Sequence, residues 1–234
     1  MSKHGKNYKE ALSLLGKEIY SLDEAIDLVK KTSKVKFDAT AELHLNLNVD
    51  PKHADQNIRG TVALPHGTGK EVRVVAFVDE SQIKACKEAG ASVAGTAELL
   101  DKIEKGWLDF DVAVADPSQM RELGKIAKTL GTKGLMPSPK AGTVTTDAAK
   151  SIKEIKKGKI EFRIDKLSNI HTVFGKVSFE TDKLKGNLLA IVKALIDAKP
   201  ASVKGSYINS ITATSTMGPG IKIDVSEATT ESRK

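Results

Sequence analysis

The sequence predicts a mixed fold, α/β and α+β, in two domains: a discontinuous α+β domain with a smaller α/β domain inserted in it. Three observations carry this. Strict alternation of apolar and polar residues near both ends marks half-buried strands. Between them, apolar strands alternate with helices of about ten residues, the grammar of a small parallel sheet. Neither flank alone supplies enough strands for a stable sheet, whereas the two together do. The 234 residues, 40% of them apolar and 29% charged, suffice for two small cores. The expected boundaries are 1–66 with 159–225 for the outer domain and 67–158 for the inner one, with a loose tail over 226–234.

The elements follow in order. Ser21-Leu22-Asp23-Glu24 reads as a capping box, with Ser21 accepting from the first turn and Glu24 reaching back. Leu22, Ala25, Ile26 and Val29 then repeat at helical spacing. From Thr40 to Val49 the period becomes two: Leu43, Leu45, Leu47 and Val49 share one face, and Glu42, His44, Asn46 and Asn48 the other. A second alternation runs through Ile58, Gly60, Val62 and Leu64. Val72 to Val78 is a continuous apolar strand, followed by a helix to Ala89 and a short strand at Val93-Ala94. Thr96 should cap the next helix, which contains Leu99, Leu100 and Ile103. Val112 to Ala115 is a third strand, and Asp116-Pro117 opens another helix, with proline where a missing N–H costs nothing. A helix from about Asp147 to Lys157 closes the block. Beyond Gly158, strands are expected at Ile160–Ile164, Thr172–Phe179, Tyr207–Thr216 and Ile221–Val225. The helix Asp182–Ala198 carries Leu184, Leu188, Ile191 and Leu195 on one face. Residues 226–234 show no periodicity.

Composition narrows the function. A single cysteine excludes a disulfide framework or a cysteine-based zinc site within the chain. No apolar run approaches the roughly 20 residues of a membrane span. Met1 to Asn7 is polar and basic, so no signal peptide is expected, and the cytosol is the expected compartment. The net charge is +7, and its distribution is uneven. From Leu123 to Lys159 nine basic residues face two acids, whereas from Gly67 to Glu122 seven basic residues face eleven acids. Lys150, Lys153, Lys156 and Lys157 form the densest run; it suits a nucleic-acid partner or, more simply, a solvated helix face.

Catalytic apparatus is not visible. Gly67-Thr68-Gly69-Lys70 superficially suggests a phosphate loop, but Leu64 stands where its first glycine belongs and Glu71 where the Mg²⁺-holding hydroxyl belongs. A strand, not a helix, follows it. The histidines at 4, 44, 53, 66 and 171 share no metal-ligand spacing. Cys86 sits beside Ala85 and Ala89 as a small packing residue. The polar strand faces are more informative. Ser210, Thr212, Thr214 and Thr216 share one side of a strand that ends in the tight turn Met217-Gly218-Pro219-Gly220. Threonine favours strands in any case. Even so, a hydroxyl face beside Glu42, His44 and Asn46 offers donors and acceptors suited to riboses, phosphates and base edges.

Several blocks resemble one family. Lys36-Phe37-Asp38, Asp55-Gln56-Asn57-Ile58-Arg59-Gly60-Thr61-Val62, Leu64-Pro65-His66-Gly67 and Gly106-Trp107 are similar to the first protein of the bacterial large ribosomal subunit, the uL1 family. Gly134-Leu135-Met136-Pro137, Pro139-Lys140-Ala141-Gly142-Thr143-Val144 and Thr214-Ser215-Thr216-Met217-Gly218-Pro219 extend the resemblance, which runs in order from about residue 10 to 225. Members form the mobile stalk beside the tRNA exit site. The resemblance implies a discontinuous outer domain and a Rossmann-like, three-layer inner one. It implies direct binding of large-subunit (23S) rRNA, assistance to tRNA leaving the exit site, and repression of the protein's own operon through its mRNA. It implies no cofactor, no metal, no membrane and no small-molecule substrate, in a cytoplasmic, ribosome-bound protein that is not an enzyme.

Carried onto matching positions, the resemblance implies RNA contacts at Lys36, Phe37, Thr40 and Glu42. Asp165, Lys166, His171, Gly175 and Lys176 follow, then Ser210, Thr214, Thr216, Met217 and Gly218. The chain departs from the family at Thr172-Val173-Phe174, commonly small residues with a proline, and at Thr132, usually proline. The rival readings are a nucleotide-dependent enzyme using the α/β domain and a free translational regulator unrelated to ribosomes.

Overall fold

A computed structural model describes residues 5–233. His4, part of the expectation over Met1–Asn7, and Lys234 at the end of the expected tail lie outside the described residues. The elements are α1 (Lys6–Leu12), α2 (Leu22–Thr32), β1 (Thr40–Leu47), β2 (Arg59–Ala63), β3 (Val74–Phe77), α3 (Glu80–Glu88), β4 (Val93–Gly95), α4 (Ala97–Glu104) and β5 (Val112–Ala115). They continue with α5 (Met120–Leu123), α6 (Ala127–Thr132), α7 (Ala148–Lys156), β6 (Lys159–Arg163), β7 (Asn169–Lys176), α8 (Thr181–Asp197), β8 (Ile208–Ser215), β9 (Ile221–Ile223) and α9 (Val225–Glu231). The chain divides into two compact units, Met1–Gly69 with Ile160–Lys234 and Lys70–Lys159. Among the described residues, no helix is long and apolar enough to cross a membrane.

In the first unit a four-stranded antiparallel sheet has the order β7-β1-β8-β9. Its buried face carries Leu43, Leu45, Leu47, Ile170, Phe174, Ile211, Ala213, Ile221 and Ile223, in one core with Ile26 and Val29 of α2 and Leu184, Leu188, Ile191 and Leu195 of α8. Each fully buried leucine or isoleucine contributes roughly 1.5–3 kcal/mol. A one-residue slip of β1 would expose all three leucines, so its register is strongly specified. β2 and β6 form a separate two-stranded sheet, where Gly60 makes room for the Phe162 ring: an added Cβ would lie 2.7 Å from it.

Asn187 of α8 is fully buried. Its amide donates to the carbonyls of Gly67 (2.8 Å) and Phe174 (2.9 Å), and its oxygen accepts from the His66 N–H (3.0 Å). Gly69 has φ +72°, and a Cβ there would meet Lys176 and Phe179 side-chain carbons within 3 Å. The glycines of the Gly67-Thr68-Gly69 stretch thus serve a tight turn.

In the second unit the parallel sheet β4-β3-β5 is covered on both faces. Val75, Phe77, Ala113 and Ala115 pack with Leu99, Ile103, Leu123, Ile126 and Leu130. Val74, Ala76, Val78 and Val114 pack with Cys86, Ala148, Ile152 and Ile155. The strands are therefore apolar on every side chain, as parallel strands between helices must be. Burial first, and Asp147 second, raise the Cys86 thiol above its ordinary value. Val144 bridges to Ala115 in parallel, fixed by Ala115 N–H to Thr143 carbonyl (2.8 Å) and Thr145 N–H to Ala115 carbonyl (3.0 Å).

Several local expectations are corrected. The loose tail is instead largely helix: Asp224 caps α9 by accepting from the N–H groups of Ser226 and Glu227, and Ala228 is buried. Glu227 accepts from the Leu22 N–H (3.3 Å), and Glu231 pairs with Lys185 (3.1 Å). Ser21 does cap α2, but Glu24 accepts from Lys17 Nζ (2.9 Å) rather than reaching back. Thr96 does not cap α4 with its side chain; its hydroxyl donates to the Val78 carbonyl (3.0 Å). After Asp116 the chain makes a short 3₁₀ turn, Pro117–Gln119, before α5. β7 starts at Asn169 rather than Thr172, because a turn at Asp165 lets pairing begin earlier.

Candidate nucleic-acid interface

Among the described residues no helix covers one face of the first unit's sheet, and the strand register turns the side chains there into rows. Asn169, Asn46 and Ser210 form one row, and His171, His44, Thr212 and Lys222 the next. Val173, Glu42 and Thr214 form a third. All of these residues are partly or fully exposed, while Leu43, Leu45, Ile170, Ile211 and Ala213 between them fill the core. Period-two sequence and a one-sided core together make this surface polar by construction.

The rows are partly cross-linked. Asn46 Nδ2 donates to Asn169 Oδ1 (2.8 Å), and Asn209 Nδ2 donates to Asn46 Oδ1 (3.0 Å). The Nδ1 atoms of His44 and His171 are 2.8 Å apart. Burial and then the His171 charge lower the His44 imidazole below its ordinary value, against the raising influence of Glu42. A shallow concavity of about 320 Å³ lies here, lined by Glu42, His44, Glu161 and His171 among others.

At one end of the face stands the turn before β7. Asp165 Oδ1 accepts from the N–H groups of Leu167 (2.7 Å) and Asn169 (2.8 Å). These bonds, with the Asn169 backbone the largest influence, hold its carboxyl below the ordinary range. The turn presents Lys166 to solvent, and Ser168 adopts φ 64° within it.

At the other end, Lys176 Nζ donates to Thr40 Oγ1 (3.0 Å) and the Asp38 carbonyl (3.4 Å). Thr216 Oγ1 accepts from the Thr40 N–H (3.0 Å), and Thr214 Oγ1 points at the carbonyls of Ser215 (3.0 Å) and Gly218 (3.1 Å). Phe37 and Met217 stand out at 56% and 66% exposure. Such apolar side chains, flanked by Lys36 and hydroxyls, can stack on bases or riboses.

The structure therefore brings Thr40, Glu42, His171, Lys176, Ser210 and Thr214 onto or beside one polar surface. Lys36, Phe37, Thr216, Met217 and Gly218 lie at one end of its strands, and Asp165 and Lys166 at the other. Gly175 is placed differently. It is buried, with φ +154°, and an added Cβ would lie 2.7 Å from Leu184 Cδ2. Its role is to let β7 cross the register shift opposite Ala41 and Glu42. Asp165 and Thr216 likewise have internal work, holding a turn and the end of a strand. Asn169 and Lys222 were not singled out in the sequence. They lie in line with Asn46 and His44, and only register brings them there. Among the described residues, no group of three or more His, Cys, Asp or Glu is placed to hold a metal ion.

A sequence model described as "Ribosomal protein L1p/L10e family" matches residues 29–219. The chain belongs to this family. It is a ribosomal protein of the large subunit, and the family's role is structural and rRNA-binding rather than enzymatic. The match includes every residue of the polar face except Lys222, whereas α1 and α9 lie outside it.

Proposed function

We propose that this protein binds large-subunit ribosomal RNA at the mobile stalk through the uncovered face of the β7-β1-β8-β9 sheet. It assists release of tRNA from the exit site and represses its own operon by binding the operon mRNA. We read the chain as a discontinuous α+β domain carrying a Rossmann-like α/β insertion, with the RNA site on the former. The observation that carries the reading is the polar face itself: hydroxyl, amide and imidazole side chains in register across three strands, with lysines and an exposed aromatic at its ends.

The chemistry suits shape recognition. The Thr214 and Ser210 hydroxyls and the backbone at Met217-Gly218 can engage 2′-hydroxyls in a shallow minor groove, distinguishing RNA from DNA. Lys36, Lys166 and Lys176 position phosphates without reading sequence. Lys176 keeps donor capacity for this, since an ammonium has three N–H groups. Phe37 packs on a base or ribose. Lys150, Lys153, Lys156 and Lys157 on and beside α7 add longer-range attraction that weakens with salt.

Crosslinking in cells followed by sequencing of the bound RNA tests the reading. The expected result is enrichment of one large-subunit rRNA segment, with tRNA and the operon message as separate, weaker peaks. Reads without rRNA enrichment would overturn the rRNA assignment. Absence of the tRNA or message peak would remove that part alone.

A further inference from the structure

Two imidazoles meet in the middle of the polar face. His44 and His171 are direct partners across β1 and β7, with Nδ1 atoms 2.8 Å apart and ring planes inclined at 63°. Their other nitrogens face carboxylates. His44 Nε2 is 3.7 Å from Glu42 Oε2, and His171 Nε2 is 3.5 Å from Asp165 Oδ2. A close contact between two ring nitrogens requires one N–H and one lone pair, so at least one Nδ1 is unprotonated. The carboxylates draw protons to both Nε2 atoms. The arrangement that satisfies every nitrogen is one imidazolium and one neutral ring, sharing a single proton between the Nδ1 atoms.

A second proton would break that contact. Both Nδ1–H groups would then be donors held side by side on adjacent strands, with each Nε2–H facing its carboxylate. That is a two-pronged anion cradle of the kind a phosphate accepts. We propose that the His44–His171 pair is a proton-gated site for one phosphodiester of the bound RNA: closed on a shared proton in the free protein, opened by uptake of a second as the phosphate binds. This rests on reading the face as the RNA surface.

The surroundings carry charges of both signs. Glu42 on β1, Asp165 before β7 and Glu161 on β6, which lines the same concavity, favour the doubly protonated pair. Glu161 is itself engaged by Arg59. On the β8 side Thr212 is uncharged, and Lys222 of β9, next in the row, opposes the second proton, as does any positive field from Lys166 beside Asp165. Burial and the neighbouring imidazole keep His44 below its ordinary value in the free chain.

Linkage sets the sign. If the bound state holds one more proton than the free state, affinity rises as pH falls, by up to about tenfold per unit, and levels off below the free pair's second titration. The test uses the full chain, the stalk segment of large-subunit rRNA and constant salt. Binding should tighten by roughly 10- to 100-fold between pH 8 and pH 6, with about half to one proton taken up on average by calorimetry in buffers of different ionisation heat. His44→Asn should show neither the pH dependence nor the proton uptake, whatever its affinity at pH 8. Nuclear magnetic resonance of the imidazole nitrogens should show both rings responding to RNA at pH 6, and inorganic phosphate alone tests whether the cradle takes a free anion. Equal affinities at pH 8 and pH 6, or parallel profiles for parent and variant, would overturn the proposal and leave RNA binding intact. Failure to bind RNA at any pH would overturn the RNA reading and the proposal together.

Discussion

The turn at Asp165 separates a residue proposed to touch RNA, Lys166, from one that would present it. Lys166 is exposed, whereas Asp165 receives two backbone N–H bonds at 2.7 and 2.8 Å. Asp165→Ala removes both bonds at once. Each bond to a charged acceptor is worth roughly 1.5–3 kcal/mol when buried. The carboxylate is partly exposed, and water can replace it, so the expected loss of fold stability is only about 1 kcal/mol. The effect on binding is larger. RNA must now order a turn that the free protein no longer holds, at about 1–2 kcal/mol for each residue restrained. For one or two residues this amounts to roughly five- to 900-fold in affinity. Lys166→Gln acts differently, deleting one phosphate contact. The slope of log K against log salt should then shrink by about 0.7–0.9. Filter binding of the stalk RNA across a salt series, with thermal melting of each variant, separates the two. Asp165→Ala should weaken binding with an unchanged slope, Lys166→Gln should flatten the slope, and Asp165→Asn, which keeps an acceptor oxygen, should stay near the parent. A flattened slope for Asp165→Ala, or unchanged affinity in a variant that has lost its turn, would refute the reasoning.

Three further outcomes are expected. Asn187→Leu leaves the His66 N–H and the Gly67 and Phe174 carbonyls without partners in a buried setting, costing about 2–4 kcal/mol and read as a lower urea midpoint. Thr216→Val removes the acceptor of the exposed Thr40 N–H. It should lower stability by only about 0.5–1 kcal/mol while also weakening RNA binding, with Thr181→Val as the control for both melting and titration calorimetry. Burial would raise the Asp111 carboxyl, but hydrogen bonds from Lys70 and from the Arg73 backbone and side chain hold it at about 2. A depressed carboxyl stabilises the fold above its unfolded value of 3.8, and that contribution is lost as pH falls through about 2. Asp111→Asn should therefore destabilise residues 70–159 at pH 7 by about 1–2 kcal/mol and remove the difference in acid, as hydrogen exchange of β3 and β5 would report.

Strand alternation made β1 and β8 legible because each has one dry and one wet face. Leu43, Leu45 and Leu47 therefore announced both a strand and its buried side. The same signal says nothing about which residues stand opposite, so the Asn46–Asn169 and His44–His171 pairs emerged only with the register. α9 was invisible for another reason. It is held by the Asp224 cap, the Glu227 bond to Leu22 N–H and the Glu231–Lys185 pair, with Ala228 its one buried residue of the helix core. Polar anchoring leaves no apolar period to read. Gly175 carries a second demand that the sequence does not show. The resemblance marks it for RNA, and its position against Leu184 adds a packing role at the bulge.

The order of β7-β1-β8-β9 has a consequence for synthesis. β1 is central, yet both of its partners come from the far end of the chain, the nearer following about 120 residues later. At roughly 5–20 residues per second, a ribosome needs on the order of 6–24 s to cover that distance. During that interval β1 has no strand to pair with, whereas all three strands of β4-β3-β5 emerge within a single stretch. Folding on the ribosome should therefore begin in the middle of the chain and finish at its ends. The polar face, assembled from β1, β7 and β8, exists only when translation is nearly complete. A truncated product therefore lacks the surface, and only the finished chain presents it.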